Sequence, residues 1–409
     1  MSVKNKLKLF NDPIYGFITI PNALIFDLIE HPYFQRLRRI SQMGLSYLVY
    51  PGAHHTRFHH ALGSMFLMTK AIETLRSKGV NIDKEEEEAL LIAIVLHDIG
   101  HGPFSHAMEH SLVNQINHED ISLKFMEELN AKFNQRLTLA IKIFKGEYER
   151  KFMCQLVSGQ FDMDRADYLK RDSFYTGVAE GNINSERLIN MLNVANDTLV
   201  FEEKGLYSVE KFLTARRLMY WQVYLHKTGI VAENILVNIL TRAKELVQKG
   251  NSLEGSNALL YFLNKSIGRS NFYPEALKQF ALLDDIDILS ALKLWRNHED
   301  FVLSKLCAMI LDRQLLKVKI KRKPIAQEVL IKQLNKVMSD NNLNKHDASY
   351  FVFSGTISNQ AYNIKKQAIK ILRKNGKLTE LSKATDHLNL KVLAEPVTKH
   401  YICYPKTIN

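Results

Sequence analysis

The sequence predicts a mainly α-helical protein with a short N-terminal β-hairpin and a small α+β lobe at its C-terminal end. Three observations lead there. From Pro21 onward, apolar residues recur at helical spacing, as in Ile25, Leu28 and Ile29 and again in Phe34, Leu37 and Ile40. Before Pro21, apolar positions alternate on either side of Asn11-Asp12-Pro13-Ile14-Tyr15-Gly16, which is turn chemistry between two short strands. Towards the C-terminus, strand-like runs and an Asn375-Gly376 hairpin signal replace the helical pattern. With 46% hydrophobic and 24% charged residues over 409 positions, the chain carries enough apolar material for a large core, which excludes a mainly disordered state.

Taken in order, Pro32 opens a second short helix, and a helix over 59–78 stops at Gly79. Asp83 and Glu86 form a capping box for a helix that runs apolar to Leu96. Helical spacing recurs over 122–129, 137–144, 185–192, 209–227, 232–247 and 300–316. The run Lys317, Lys319, Lys321, Arg322, Lys323 alternates with Val318 and Ile320 and reads as a linker or surface strand. Beyond it come a helix over 326–337, a polar turn at Asn341 and Asn342, and strand-like runs over 350–353, 368–372 and 401–404. The pattern divides the chain into a helical core, 1–318, and a small lobe, 319–409.

Lysine and arginine outnumber aspartate and glutamate, 55 to 43, for a net charge of +12 and a pI near 9.3. That balance suits anionic partners, whether nucleotides, nucleic acid or phospholipid, and equally a lysine-rich solvated surface. The basic C-terminal run lacks interleaved aromatics, which favours solvated surface over nucleic acid. Cys154, Cys307 and Cys403 are widely spaced and contain no CxxC pair, which argues against a disulfide framework or a thiolate zinc site. The N-terminus has no apolar signal region, and the best apolar run, 89–96, falls well short of the roughly 18 residues that a membrane span needs. The expectation is a cytoplasmic protein without a membrane partner.

Nine of the 15 histidines fall between His54 and His118. His97 and Asp98 end an apolar helix just before Ile99-Gly100-His101-Gly102-Pro103, where a backbone turn exposes side chains that the helix would bury at a cost. One buried histidine is commonly a hydrogen-bonded core residue, but a cluster of this density is accounted for together by one metal-phosphate site. Imidazole with carboxylate suits divalent ions such as Fe, Mn or Zn, and without nearby cysteines the ligand set is nitrogen and oxygen. His60 on the preceding helix and Asp164 further on complete a four-residue set drawn from three helices.

The residues bearing on function extend well beyond this pair. They include Phe10 to Gly16, Phe34-Gln35-Arg36-Leu37-Arg38 with Gln42, Pro51-Gly52-Ala53 leading to His55, and Arg57-Phe58-His59-His60. They continue through His97 to His106, His118-Glu119, Asp164-Arg165-Ala166-Asp167-Tyr168 with Arg171-Asp172, and Tyr224-Leu225-His226-Lys227. In order and spacing, from about residue 6 to residue 230, this set resembles the HD-domain phosphohydrolases. Within them it is most similar to the deoxynucleoside triphosphate triphosphohydrolases of the human SAM-and-HD-domain type and their bacterial relatives, here without a preceding SAM domain. The fold this implies is an HD-domain helical core.

The resemblance implies that His60, His97, Asp98 and Asp164 ligate a divalent metal, Fe, Mn, Mg or Zn. A metal-bound hydroxide would attack the α-phosphorus of a deoxynucleoside triphosphate and yield deoxynucleoside plus triphosphate. His101, His106 and His118 match catalytic and supporting histidines, with His106 the general acid for the leaving 5′ oxygen. Arg57, Arg165 and Arg216 would clamp phosphates. Gln42 and Asp172 would bind the 3′ hydroxyl, Tyr168 would leave no room for a 2′ hydroxyl, and Tyr224 would pack on sugar or base. The sequence departs from the human relative where Arg165 replaces lysine and Tyr220 replaces a site histidine. Lys8, Asn11, Gln35 and Arg38 coincide with a nucleotide-sensing site through which that relative assembles, so an activating nucleotide and a homo-oligomer, dimer or tetramer, are expected. Glu30 stands there in place of aspartate, leaving guanine-specific activation open. Two rival readings stand beside this one: an HD phosphohydrolase for a monophosphate, cyclic dinucleotide or alarmone, and a non-catalytic nucleotide sensor or nucleic-acid-binding protein.

Overall fold

The computed structural model describes residues 8–104, 108, 111–364, 367–386 and 390–406. Strands β1 (Leu9–Asp12) and β2 (Gly16–Thr19) pair antiparallel, Leu9 opposite Thr19 and Asp12 opposite Gly16. Asp12 shapes the turn itself. Its Oδ1 accepts from the Ile14 and Tyr15 amides at 2.9 and 3.0 Å, and Gly16 takes a φ of +73° that a side chain would resist. The hairpin leads into α1 (Ala23–Glu30), capped by Asn22 and burying Leu24, Ile25, Leu28 and Ile29. The second helix opened by Pro32 lasts one turn and then tightens into a 3₁₀ turn, Arg36–Arg39. There Arg36 turns inward. Its guanidinium lies between the rings of Phe125 and Phe280, 5.5 and 5.2 Å from their centroids, and donates to the Ile99 carbonyl at 2.7 Å.

The centre of the molecule is α2 (Arg57–Ser77) packed on α3 (Lys84–Leu96) and on α5 (Met163–Thr176). The expected capping box of α3 is present, Asp83 and Glu86 each accepting from the other's backbone amide. Between α3 and α5, α4 (His118–Lys132) begins at Asn117, whose side chain caps the Asp120 amide. Glycines allow two close approaches. At Gly63 of α2, an added Cβ would lie closer than 3.0 Å to the Asp167 carboxylate and the Arg171 guanidinium. At Gly100, it would lie closer than 3.0 Å to the backbone of α4 at His118 and Ser122. Ser122 binds this turn on both sides, its Oγ accepting from Gly100 N and donating to the His97 carbonyl, each at 2.8 Å.

The single helix expected over 209–227 is three pieces. α6 (Leu206–Met219) passes into a π-turn, Tyr220–Tyr224, in which the Leu225 amide reaches back five residues to the Tyr220 carbonyl at 2.8 Å. The chain then breaks, and His226 Nδ1 caps α7 (Lys227–Gln248) by accepting from Thr228 N at 3.2 Å. The helix expected over 300–316 ends earlier, as Phe301–Leu311, followed by Arg313 at positive φ. Among the described residues no helix is long and apolar enough to cross a membrane.

Lys317–Lys321 is a surface strand, with its lysines outward and Val318 and Ile320 half-buried. It pairs with Val397–Tyr404, the central strand of a three-stranded antiparallel sheet completed by Phe353–Asn359. Asn375-Gly376 turns between strands Lys370–Leu372 and Leu378–Glu380, as the sequence signal predicts. Lys370–Leu372 also pairs in parallel with Thr198–Glu202. That strand belongs to a hairpin, Leu192–Ala195 with Thr198–Glu202, in a stretch to which the sequence pattern assigns no element past Leu192. Its turn residues, Asn196 and Asp197, both take positive φ. The C-terminal residues thus share a sheet with the helical part of the chain.

Because α4 lies against the backbone of the HD turn, we predict that Gly100→Ala lowers stability by about 1–3 kcal/mol, the usual range for overpacking. Urea unfolding measures this, and an unchanged midpoint would refute the close approach.

Candidate metal centre and active site

α2 supplies His60, the end of α3 supplies His97 and Asp98, and the first turn of α5 supplies Asp164. One ligand atom each from His60, His97 and Asp164 lies within 4.8 Å of the others, a grouping able to hold a metal ion. The two Nε2 atoms are 3.3 Å apart, and Asp164 Oδ1 lies 3.1 Å from that of His60 and 3.5 Å from that of His97. Each imidazole is held from behind. His60 Nδ1 faces Asp167 Oδ2 at 2.7 Å, and His97 Nδ1 faces the Ile94 carbonyl at 2.6 Å, so both Nε2 atoms point to the centre. Asp98, also buried, borders the cluster. Its Oδ1 is 3.5 Å from His97 Nε2 and 3.3 Å from His101 Nε2, while Oδ2 lies 3.8 Å from His60 Nε2 and pairs with Arg57.

The electrostatics ask for positive charge at this point. Burial opposes a charge on His60, yet hydrogen bonds to Asp164 and Asp167 and the charges of both carboxylates raise it to about 10. His97 is likewise raised against the effect of burial, mainly by Asp98. Asp164, half-buried, is held below the usual carboxylate range by the two histidines against the opposing effect of desolvation. A cation among these donors meets the same demand that the protons meet here, and a set of two nitrogens and one oxygen suits a divalent ion. His101 is pushed the other way, to about 3, by burial and by the neighbouring Arg57 charge. Its ring stacks on that of His118 at 3.9 Å between centroids. His106 lies outside the described residues.

α5 presents two stripes of polar side chains. Asp164, Tyr168 and Asp172 are spaced four residues apart, Asp164 meeting the two histidines and Tyr168 and Asp172 lining a cleft, whereas Asp167 and Arg171 face α2. The cleft, of about 360 Å³, brings together Gln42, Arg57, Tyr168, Asp172, Tyr220 and Tyr224. Both oxygens of Asp172 are engaged, with His55 Nε2 2.7 Å from Oδ1 and the Tyr224 hydroxyl donating to Oδ2 at 2.7 Å. Tyr168 meets Tyr224 edge to face at 5.9 Å, and Tyr220 meets Tyr224 in the same way at 5.0 Å. The π-turn thus carries two of the three cleft tyrosines. Phe104, another wall, holds a φ of +49° while its amide donates to Asp285 Oδ1 at 3.0 Å.

Arg165 and Arg216 do not line this cleft. Arg165 pairs with Asp162, the cap of α5. Arg216 keeps two buried guanidinium nitrogens without a hydrogen-bond partner, and its charge acts on Tyr168. Lys8, Glu30, Gln35 and Arg38 gather beside the hairpin. Lys8 pairs with Glu30, and Arg38 donates to Gln35 at 2.9 Å and covers the Phe58 ring at 3.6 Å, while Asn11 is exposed on β1. His55 and Asp167 stand in the sequence pattern without an assigned role, and the structure supplies one for each. The signal for Asp167 was its position one helical turn beyond Asp164 and four residues before Arg171.

A family profile described as HD domain matches residues 57–172, and one described as HD associated region matches residues 183–255. A crystal structure of a phosphohydrolase from Bacteroides thetaiotaomicron superposes with a TM-score of 0.95 at 49% identity, covering 98% of this chain and 100% of that one. An uncharacterized protein of Bacillus subtilis is 32% identical, covering 98% of this chain and 93% of that protein. The deoxynucleoside triphosphate triphosphohydrolase SAMHD1 homolog of Dictyostelium discoideum is 31% identical over 62% of this chain. SAMHD1 of Gallus gallus is 27% identical over 64%. This chain spans about half the length of those two proteins, 52% and 49%. In sequence and in fold, the chain belongs to the HD-domain phosphohydrolases.

Proposed function

We propose that this protein hydrolyses deoxynucleoside triphosphates to deoxynucleoside and triphosphate, with His60, His97, Asp98 and Asp164 holding a divalent metal, Fe, Mn, Mg or Zn. The observation that carries the reading is the union of the His60–His97–Asp164 cluster with a tyrosine-lined cleft that shares α5 with it. A bound divalent ion supplies Lewis acidity toward the phosphoryl group and a water activated near neutral pH.

The chain's own residues bind, orient and protonate. Arg57, already held against Asp98 at the cleft edge, draws in the phosphates, and Arg216, whose charge acts on Tyr168, adds to the clamp. Arg165 adds charge from its place on Asp162. Gln42, whose Oε1 is buried and unpartnered, and Asp172 take the 3′ hydroxyl. The Tyr168 ring, fixed edge to face on Tyr224, occupies the space of a 2′ hydroxyl, and Tyr220 and Tyr224 pack on sugar or base. His106 protonates the leaving 5′ oxygen, with His101 and His118 supporting the rim of the site. The reading includes regulation: an activating nucleotide at the face of Lys8, Asn11, Glu30, Gln35 and Arg38, in a homo-oligomeric cytoplasmic enzyme. The cations of that face lie over aromatic rings, Lys8 over Phe26 and Arg38 over Phe58.

Chromatography of products from each deoxynucleotide and GTP, singly and mixed, with Mg, Mn or Fe, tests this. Intact triphosphate is expected. Monophosphate with pyrophosphate, or orthophosphate, would sink departure of the 5′ oxygen from the α-phosphorus, and turnover independent of a second nucleotide would sink the activating site. Asp164→Ala should lose both bound metal and at least about a hundredfold in turnover while staying folded, and full activity would remove Asp164 from the centre. His106→Ala should lose turnover yet keep metal content, so unchanged turnover would end its role as acid. Tyr168→Ala should narrow the preference for dGTP over GTP, measured as the ratio of kcat/KM values.

A further inference from the structure

Behind the metal cluster runs a buried line of charge that the proposed reaction does not use. Asp167 Oδ2 sits 2.7 Å from His60 Nδ1 and also accepts from Arg171 Nε at 2.9 Å, while Oδ1 accepts from Arg171 Nη2 at 3.0 Å. The remaining terminal nitrogen, Arg171 Nη1, donates to Asp12 Oδ2 at 2.8 Å. Asp167 and Arg171 are fully buried and Asp12 is 6% exposed. Asp12 is divided between two tasks, Oδ1 shaping the hairpin turn and Oδ2 receiving the guanidinium. The line therefore starts in the N-terminal hairpin and ends on the ring that offers Nε2 to the metal.

We infer that Asp12, Arg171 and Asp167 form a positioning chain through which the seating of the N-terminal hairpin sets the metal affinity of His60. The inference rests on the metal centre proposed above. A carboxylate on Nδ1 fixes the ring, keeps its donor tautomer and makes Nε2 a stronger ligand. Arg171 decides how much of that carboxylate His60 receives, because both groups compete for Oδ2. Asp12 shares the guanidinium. Without the Asp12 charge, Arg171 draws Asp167 more strongly, and His60 keeps a weaker hold on it. The line cannot relax by sliding, since α2 passes so close at Gly63 that even a Cβ would collide with Asp167 and Arg171. Whatever binds or displaces the hairpin thereby acts on the centre through three side chains.

Mn(II) titration calorimetry on the full metal-free chain, repeated with Fe(II) under argon, tests the chain. Asp12→Asn keeps an acceptor for the turn amides and removes the carboxylate facing Arg171. Its Kd for the metal should rise about tenfold to a hundredfold, the usual cost of losing an outer partner of a ligating histidine. Asp12→Glu should recover part of the loss. Leu75→Ala, a buried residue near the far end of α2, should lower the urea midpoint and leave the metal Kd unchanged. Wild-type affinity in Asp12→Asn overturns the inference and leaves the metal centre standing. An equal loss of affinity in Leu75→Ala overturns it as well, since general destabilisation would then be the cause. A wild-type chain that binds neither ion overturns the metal centre itself and this inference with it. Should Asp12→Asn fail to fold, Arg171→Lys, which cannot span both carboxylates, carries the same test with the same outcomes.

Discussion

A buried imidazole between two carboxylates is the constraint on which the rest of this protein turns. His60 is fully buried, with Asp167 on one ring nitrogen and Asp164 on the other. Charges so far from water persist only when each is paired and hydrogen-bonded, and removing one partner of such a pair typically costs about 3–5 kcal/mol. The surrounding structure meets that demand in layers. Arg171 neutralises Asp167, Asp12 completes Arg171, and the hairpin is thereby fastened to the helical core. The close crossing of α2 and α5 follows, since a side chain at Gly63 would displace the charges it borders.

A second theme is the use of irregular backbone where chemistry is required. An apolar helix cannot display polar groups without burying them unpaired, so α3 ends at His97, and the HD turn is clamped from three sides. Arg36 holds the Ile99 carbonyl, Ser122 holds Gly100 and His97, and Asp285 holds the Phe104 amide. On the opposite wall, the π-turn interrupts what would be one long helix and sets Tyr220 and Tyr224 against the cleft. Both irregular segments border the same cavity. The regular helices hold the frame, and its breaks supply the site.

The basic strand has a quieter part. Its lysines alternate with Val318 and Ile320, and its partner strand comes from residues near the end of the chain. Together with the parallel pairing of Lys370–Leu372 on Thr198–Glu202, this binds the C-terminal residues onto the helical part instead of leaving them as a tethered lobe. Tyr401 and Cys403 are buried opposite Ile320 and Val318, and Ile402 between them is buried on the other face.

The sequence by itself determined the helical class, the hairpin at Asn11 to Gly16, the capping box of α3, the Asn375-Gly376 turn and the histidine and carboxylate types that the structure gathers into a candidate metal site. Each is written in short-range chemistry: apolar spacing, cap and turn residues, or a histidine beside a carboxylate where a helix must end. It was silent on the hairpin at Asn196-Asp197 and on the division of α5 into two polar stripes, and it missed the π-turn because helical apolar spacing runs through it. Only the tertiary structure decided that Asp98 shares itself with Arg57, and that Asp12 reaches His60 through Arg171 and Asp167. Competition for a charged group is settled by distance and burial, and segments distant in sequence acquire those only when they pack.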